Sequence, residues 1–248
     1  MINQNVKHIF KKELTSYFKT PLGYVFLVIF LFGIGYLTFE PGRGSFFYMR
    51  EASLKSFFRY IPWMFLFLIP AVSMRLWADE RKSGTIEILL TMPVTVKDAV
   101  IAKFFASWAF IGIALIGTFP MVFTVIYLGN PDLGVIFLGY LSSFLMGGAL
   151  LAVGSFFSAL TKNQVISFIL TVCVSYILVM AGSPPILEFI STFSPKYIVD
   201  VFESLSVLNH FESIERGVIS LSNLWFFLIM ITCWLFGNII LLNENKAN

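Results

Sequence analysis

The sequence predicts an all-α integral membrane protein, and three observations carry that prediction. Hydrophobic residues make up 58% of the 248-residue chain and charged residues only 12%, with a mean hydropathy of +0.85. Soluble domains carry about 25% charged residues. Six apolar stretches, at 22–39, 60–74, 104–128, 133–160, 165–182 and about 218–242, contain no Asp, Glu, Lys or Arg. A helix of about 20 such residues crosses a hydrocarbon core of about 30 Å. The alternating ten-residue segments of an outer-membrane barrel do not occur, which leaves helices as the spanning element.

The elements follow in chain order. Residues 4–19, QNVKHIFKKELTSYFK, align Val6, Phe10, Leu14 and Tyr17 on one helical face and keep Lys7, Lys11 and Lys12 off it. That is the pattern of a helix lying in the inner interface with its lysines on anionic headgroups, which makes membrane lipid an expected partner. A soluble leader helix is the plainer alternative. The first apolar stretch follows basic residues, as a signal peptide would, but it is too long, and TFEPGRG after it offers no cleavage pattern. With the N-terminus inside, eleven basic residues fall in the cytoplasm and six (Arg43, Arg50, Lys55, Arg59, Lys196 and Arg216) fall outside. This favours a multi-pass protein with both termini cytoplasmic. Cys173 and Cys233 sit inside apolar runs and read as packing residues rather than a disulfide or metal pair.

Missing residues narrow the function. An ion-coupled carrier needs ionisable groups at membrane depth, and the six stretches have none, although broken helices can bind sodium through backbone carbonyls. No acidic ring or carbonyl-rich filter points to a channel. No Gly-Lys pair occurs, so there is no P-loop and no cofactor is expected on this chain. His8 and His210 are the only histidines and lie far apart, which argues against a zinc or Ser-His site. His210 lies among Glu203, Glu212 and Glu215, where a solvated acidic face is favoured over a metal site. The chain is expected to be non-catalytic, with no nucleic-acid partner.

The longest charged passage between apolar runs is RLWADERKSGTIEILLTMPVTVKDAVIAKF, residues 75–104. Asp79, Glu80, Arg81 and Lys82 form a mixed-charge knot that stays out of lipid, and Gly84 permits a sharp change of direction. Thr85 fits as the N-cap of a short helix with Glu87 in its first turn, and Pro93 ends it. Ile86, Leu89 and Leu90 fall at i, i+3 and i+4 and point one apolar face into the cytosol. Periodicity serves two readings equally: this face meets a partner protein, or it folds back onto the inner leaflet. Thr95 and Asp98 have capping-box spacing for a further helix, which enters the third span and kinks at Pro120.

This passage resembles the first cytoplasmic loop of ABC-2 type ABC transporter permeases. That family's pattern is roughly E-[RK]-x-x-G-T-x-E-x-L-L-x-x-P-[VI], followed farther on by a Gly-Lys or Ala-Lys pair. Glu80, Arg81, Gly84, Thr85, Glu87, Leu89, Leu90, Pro93, Val94 and Lys103 match it. SALTKNQVISFIL at 158–170 and HFESIERGVISLSNLWFF at 210–227 are also similar, most of all to the gliding-motility-associated branch, close to the permeases of nitrous-oxide-reductase maturation. The resemblance implies one permease domain over residues 1–248, with six transmembrane helices of ABC-2, type V exporter-like architecture, in a bacterial inner membrane. It also implies that 79–93 is a coupling helix on a separate cytoplasmic ABC ATPase subunit, which binds ATP and Mg. Ile86, Leu89 and Leu90 would be the buried anchors there, and Glu80, Arg81 and Glu87 the polar rim. Six spans make half a transporter, so a second permease is implied, as a homodimer or a paired chain.

Between the fifth and sixth spans, residues 183–217 place Ser183 before Pro184 and Ser194 before Pro195, which sets up two short helices. In the family this region is re-entrant on the outer side, where it would close a pathway or meet an outer accessory protein. A plain interfacial hairpin fits the residues equally. In the fourth span Gly139, Ser143 and Gly147 recur every four residues, a close-packing face for a neighbouring helix or for a second permease. The function expected is ATP-driven transport, in the export direction. Its rivals are an ATPase-driven mechanotransmitter or membrane anchor acting on an extracytoplasmic partner and, less favoured, an ion-coupled carrier or channel.

Overall fold

The computed structural model describes residues 4–40, 46–49, 52–84, 95–218 and 220–247; among them every regular element is a helix. α1 (Gln4–Lys19) bends by 69° into α2 (Pro21–Phe39). Pro21 opens α2, and a Cβ on Gly23 would collide with the Tyr17 carbonyl, so the bend depends on glycine there. α1 lies along α6, defined below, with Val6, Phe10, Leu14 and Tyr17 half-buried and Lys7, Lys11 and Lys12 exposed.

After the single turn α3 (Phe46–Met49), α4 (Lys55–Ser73) runs into the turn 74–77 and α5 (Ala78–Ser83). α6 (Val96–Ile116) and α7 (Phe119–Leu128) form one broken rod. The kink expected at Pro120 sits at Gly117 and Thr118, about one turn earlier. Proline has no N–H for the Ile116 carbonyl, so the ladder opens on its N-terminal side. Thr118 Oγ1 seals the break with bonds to the Leu115 carbonyl at 2.6 Å and the Tyr140 hydroxyl at 2.8 Å.

α8 (Leu133–Leu160) begins where Asp132 Oδ1 accepts from the amides of Gly134 at 2.8 Å and Val135 at 3.3 Å. α9 (Gln164–Met180) follows, then α10 (Pro184–Phe193), α11 (Lys196–Ser204), α12 (Val207–Glu215) and α13 (Leu221–Ala247). Among the described residues four helical segments are long and apolar enough to cross a membrane: Lys55–Ser83, Val96–Leu128, Leu133–Leu160 and Leu221–Glu244. The number rises to six if two bent pairs, α1 with α2 and α9 with α10, each make one span. The second of these pairs bends by 81°. By length and composition this is a multi-pass membrane protein.

The core forms around α8, which touches α4, α6, α9, α12 and α13. Its small residues permit this. A Cβ on Gly139 would strike the Phe58 ring, one on Gly154 would strike Ser73, and one on Gly148 would lie 2.7 Å from Trp108. α4 and α8 run parallel, since Phe58, Phe65 and Ser73 meet Gly139, Gly147 and Gly154 in the same order.

Where two short helices were expected between the last spans, three are present. α10 and α11 bury no residue, whereas α12 buries Val207, Phe211 and Ile214 and packs on α8, α9 and α13. Ser183 precedes Pro184 as expected but makes no side-chain cap bond. Ser194 ends α10, and Pro195 occupies the cap position of α11. Cys173 and Cys233 are free and exposed on the outside of the bundle, so the expectation that they pack the interior does not hold.

Candidate functional site

The charged turn after α4 is fastened to the bundle by two polar hubs. The first is Lys103, two turns into α6, whose side chain is only 4% exposed. Its ammonium donates to the Leu76 carbonyl at 2.8 Å and to Glu80 Oε1 at 2.7 Å, and pairs with Glu13 Oε1 at 3.4 Å. It also lies 4.7 Å from the Trp77 ring centroid. A lysine has three protons and no acceptor, and a buried ammonium is tolerated only when they are matched. α1, the 74–77 turn, α5 and α6 therefore meet at one charge. The Tyr17 hydroxyl, 2.8 Å from Ser107 Oγ, and the Tyr17 ring, stacked 4.6 Å from Phe110, tie α1 to α6 a second time.

The second hub is Ser158 on α8. Its Oγ accepts from the amides of Trp77 at 3.0 Å and Ala78 at 3.1 Å and donates to the Met74 carbonyl at 3.0 Å. These are groups that a helix end leaves without partners. Trp77 Nε1 donates to Ser155 Oγ at 3.2 Å, and Asn238 of α13 donates to the same oxygen at 2.7 Å. The Arg81 guanidinium donates to the Ala159 carbonyl, and Asp79 accepts from the Gln164 side chain of α9. A cavity of about 260 Å³ lies between α1 and this turn, bounded by Glu13, Arg75, Asp79, Glu80 and Lys103.

The structure places the sequence-derived site residues as follows. Glu80 and Arg81 lie on α5, with their charged groups engaged inside the chain by Lys103 and the Ala159 carbonyl. Gly84 ends α5 at φ 70°, a left-handed conformation that glycine adopts without strain. Thr85, Ile86, Glu87, Leu89, Leu90 and Pro93 lie outside the described residues. Thr95 opens α6, its Oγ1 accepting from the Asp98 amide at 3.1 Å. Gly139, Ser143 and Gly147 form a separate group in the middle of α8. Gly139 faces Phe58, a Cβ on Gly147 would lie 3.2 Å from Ile111 and 3.3 Å from Phe65, and Ser143 is buried with its hydroxyl donating to the Gly139 carbonyl at 2.6 Å.

Sequence reasoning took Lys103 only as part of a motif and Ser155 only as a small packing residue, and missed Glu13, Ser158 and Asn238. A lysine two turns inside an otherwise apolar helix was the available signal, because such a charge requires a partner. Serine within an apolar run gives no comparable signal. His210 uses both ring nitrogens within the protein: Nδ1 is 2.8 Å from Asn223 Oδ1, Nε2 is 3.0 Å from the Ser204 carbonyl, and the ring stacks 4.0 Å from Phe226. Among the described residues no group of His, Cys, Asp and Glu is arranged to hold a metal.

No curated protein matches the chain. The family described as ABC-2 family transporter protein matches residues 8–241, from α1 through most of α13 and including the fastened turn, and the chain belongs to that family.

Proposed function

We propose that the chain is the transmembrane permease subunit of an ABC transporter, non-catalytic in itself and driven by ATP hydrolysed with Mg on a separate cytoplasmic ABC ATPase. The observation that supports this is the fastening of the 74–81 turn to α1, α6, α8, α9 and α13 through Lys103, Ser158, Ser155, Arg81 and Asp79. A push on α5 reaches five helices without passing through a flexible joint. In this reading 79–93 is the coupling segment, with Ile86, Leu89 and Leu90 seated in the ATPase and Glu87 on the rim. Glu80 and Arg81 hold the segment from behind, and Gly84 sets its direction.

Counting each bent pair as one span gives six, with both termini cytoplasmic in a bacterial inner membrane. A second permease, identical or paired, completes the transporter, and export is the direction proposed. The affinity to the gliding-motility-associated branch is part of this reading and draws only on the three motif stretches. A second reading, a mechanotransmitter acting on an outer accessory protein, draws on α10 and α11, which expose Phe189, Phe193 and Tyr197.

The test is a pull-down of the tagged chain from solubilised native membranes, comparing wild type with Leu89→Asp and Glu87→Lys, followed by an ATPase assay of the eluate. An ATPase that accompanies wild type and is lost from both variants supports the coupling assignment. One that stays equally bound to both variants, or none at all, overturns it.

A further inference from the structure

The end of α4 opposite the fastened turn carries a second group of charges that the coupling reading does not use. Lys55 and Arg59, one helical turn apart on α4, line a cavity of about 620 Å³ together with Glu212, Glu215 and Arg216 of α12 and its C-terminal cap. A size of roughly 300–1,000 Å³ is usual for small-molecule sites. Lys55 and Arg59 are exposed, and among the described residues neither has a carboxylate within 4.0 Å. Arg216 is paired with Glu212 at 2.8 Å. The same cavity has an apolar side made by Pro62, Trp63, Leu208 and Phe211. Cationic heads beside an apolar wall are the arrangement that suits an amphiphile with an anionic headgroup.

We propose that this pocket binds an anionic phospholipid, its phosphate held by Lys55 and Arg59 and the start of its acyl chains lying on Trp63 and Leu208. The arginine supplies the planar fork that matches phosphate oxygens, and the lysine a point charge beside it. Glu215 tunes the site. Burial, with the neighbouring Glu212, pushes its carboxyl up to about 7, while Arg216 and Lys55 pull the other way. Arg59 on α4 and Asp132 at the start of α8, which bounds an adjoining cavity with Lys55 and Glu215, are the remaining charged groups of the two cavities. As pH falls through about 7, Glu215 takes up a proton and the pocket becomes more positive, while a phosphodiester stays ionised. Anion binding therefore strengthens toward lower pH. The proposal is independent of the coupling reading, because no ATPase enters its test.

The test uses the full chain purified in neutral detergent and titrated with phosphatidylglycerol, phosphatidylcholine, or inorganic phosphate with glycerol phosphate, bound lipid being counted by native mass spectrometry. Expected are saturable binding of one phosphatidylglycerol per chain, tighter at pH 6 than at pH 8, and no comparable binding of phosphatidylcholine. Lys55→Gln with Arg59→Gln weakens it by about tenfold or more, as expected for charge-assisted contacts, while Lys55→Arg with Arg59→Lys retains it and shows that the fold is intact. Glu215→Gln binds at pH 8 as wild type binds at pH 6 and loses the pH dependence. Equal binding of phosphatidylcholine, or full binding by the double glutamine variant, overturns the site. Equally tight binding of the soluble phosphates overturns the amphiphile.

Discussion

Replacing Lys103 with Met keeps the length of the side chain and deletes its charge, and the structure sets the cost. The variant loses the 2.7 Å ion pair with Glu80 and the 2.8 Å bond to the Leu76 carbonyl. It strands Glu80 as an anion whose Oε2 already lacks a partner among the described residues. Removing one member of a buried pair costs about 3–5 kcal/mol. The Glu80 side chain is 23% exposed, so water relieves part of the penalty and the lower end, about 3 kcal/mol, applies. At about 2–4 °C per kcal/mol for a chain of this size, Lys103→Met unfolds roughly 6–12 °C below wild type in the same detergent. Adding Glu80→Met removes the stranded carboxylate and recovers at least half of the loss, because an apolar pair replaces an ion pair at little cost. The reasoning is refuted if the single variant melts with wild type, or if the double variant melts below the single one.

Other perturbations are read in the same thermal assay. Ser158→Ala leaves the Trp77 and Ala78 amides and the Met74 carbonyl without their hydroxyl partner, and lowers stability by about 2–3 kcal/mol. Gly154→Ala drives a methyl group into Ser73 at the contact of α4 with α8 and costs about 1–3 kcal/mol, whereas Gly84→Ala meets open space and pays only about 1 kcal/mol for its left-handed backbone. A Glu215 carboxyl raised in the folded state favours the protonated protein. The stability it contributes is full below the ordinary carboxylate range and lost as pH rises through about 7, so the melting midpoint falls with pH over that window in wild type and stays level in Glu215→Gln.

The long apolar helices were legible because lipid leaves a chain few alternatives. The expected span at 133–160 coincides with α8, where Asp132 supplies the cap at one end and charge returns at Lys162 beyond the other. α12 was not legible as a separate helix. Val207, Phe211 and Ile214 do share a helical face, but they stand among polar residues in a segment whose two Ser-Pro pairs marked only two short helices, re-entrant or interfacial. The hubs were least legible of all. Glu13 reaches Lys103 only because α1 lies back against α6, and Ser158 reaches Trp77 only because α4 and α8 end at the same level. Periodicity reports which face of a helix is apolar. It does not report which polar residue on another helix will meet it.

The packing of α4 on α8 also constrains how the two ends of the protein communicate. Phe58, Phe65 and Ser73 seat against Gly139, Gly147 and Gly154, so the contact runs nearly the whole length of α4 with almost no space for one helix to slide on the other. α12 packs on that same α8 through a buried apolar face. α4, α8 and α12 are therefore one mechanical body, bounded by the fastened turn at one end and by Lys55, Arg59 and Glu215 at the other. Pro62 and Pro70 remove ladder hydrogen bonds inside α4, yet both are buried in its packed face, where α2, α8 and α9 splint the helix. In the proposed coupling, a displacement applied at α5 tilts this body as a unit, and the charged pocket between α4 and α12 moves with it against the membrane and against helices outside the body, such as α7.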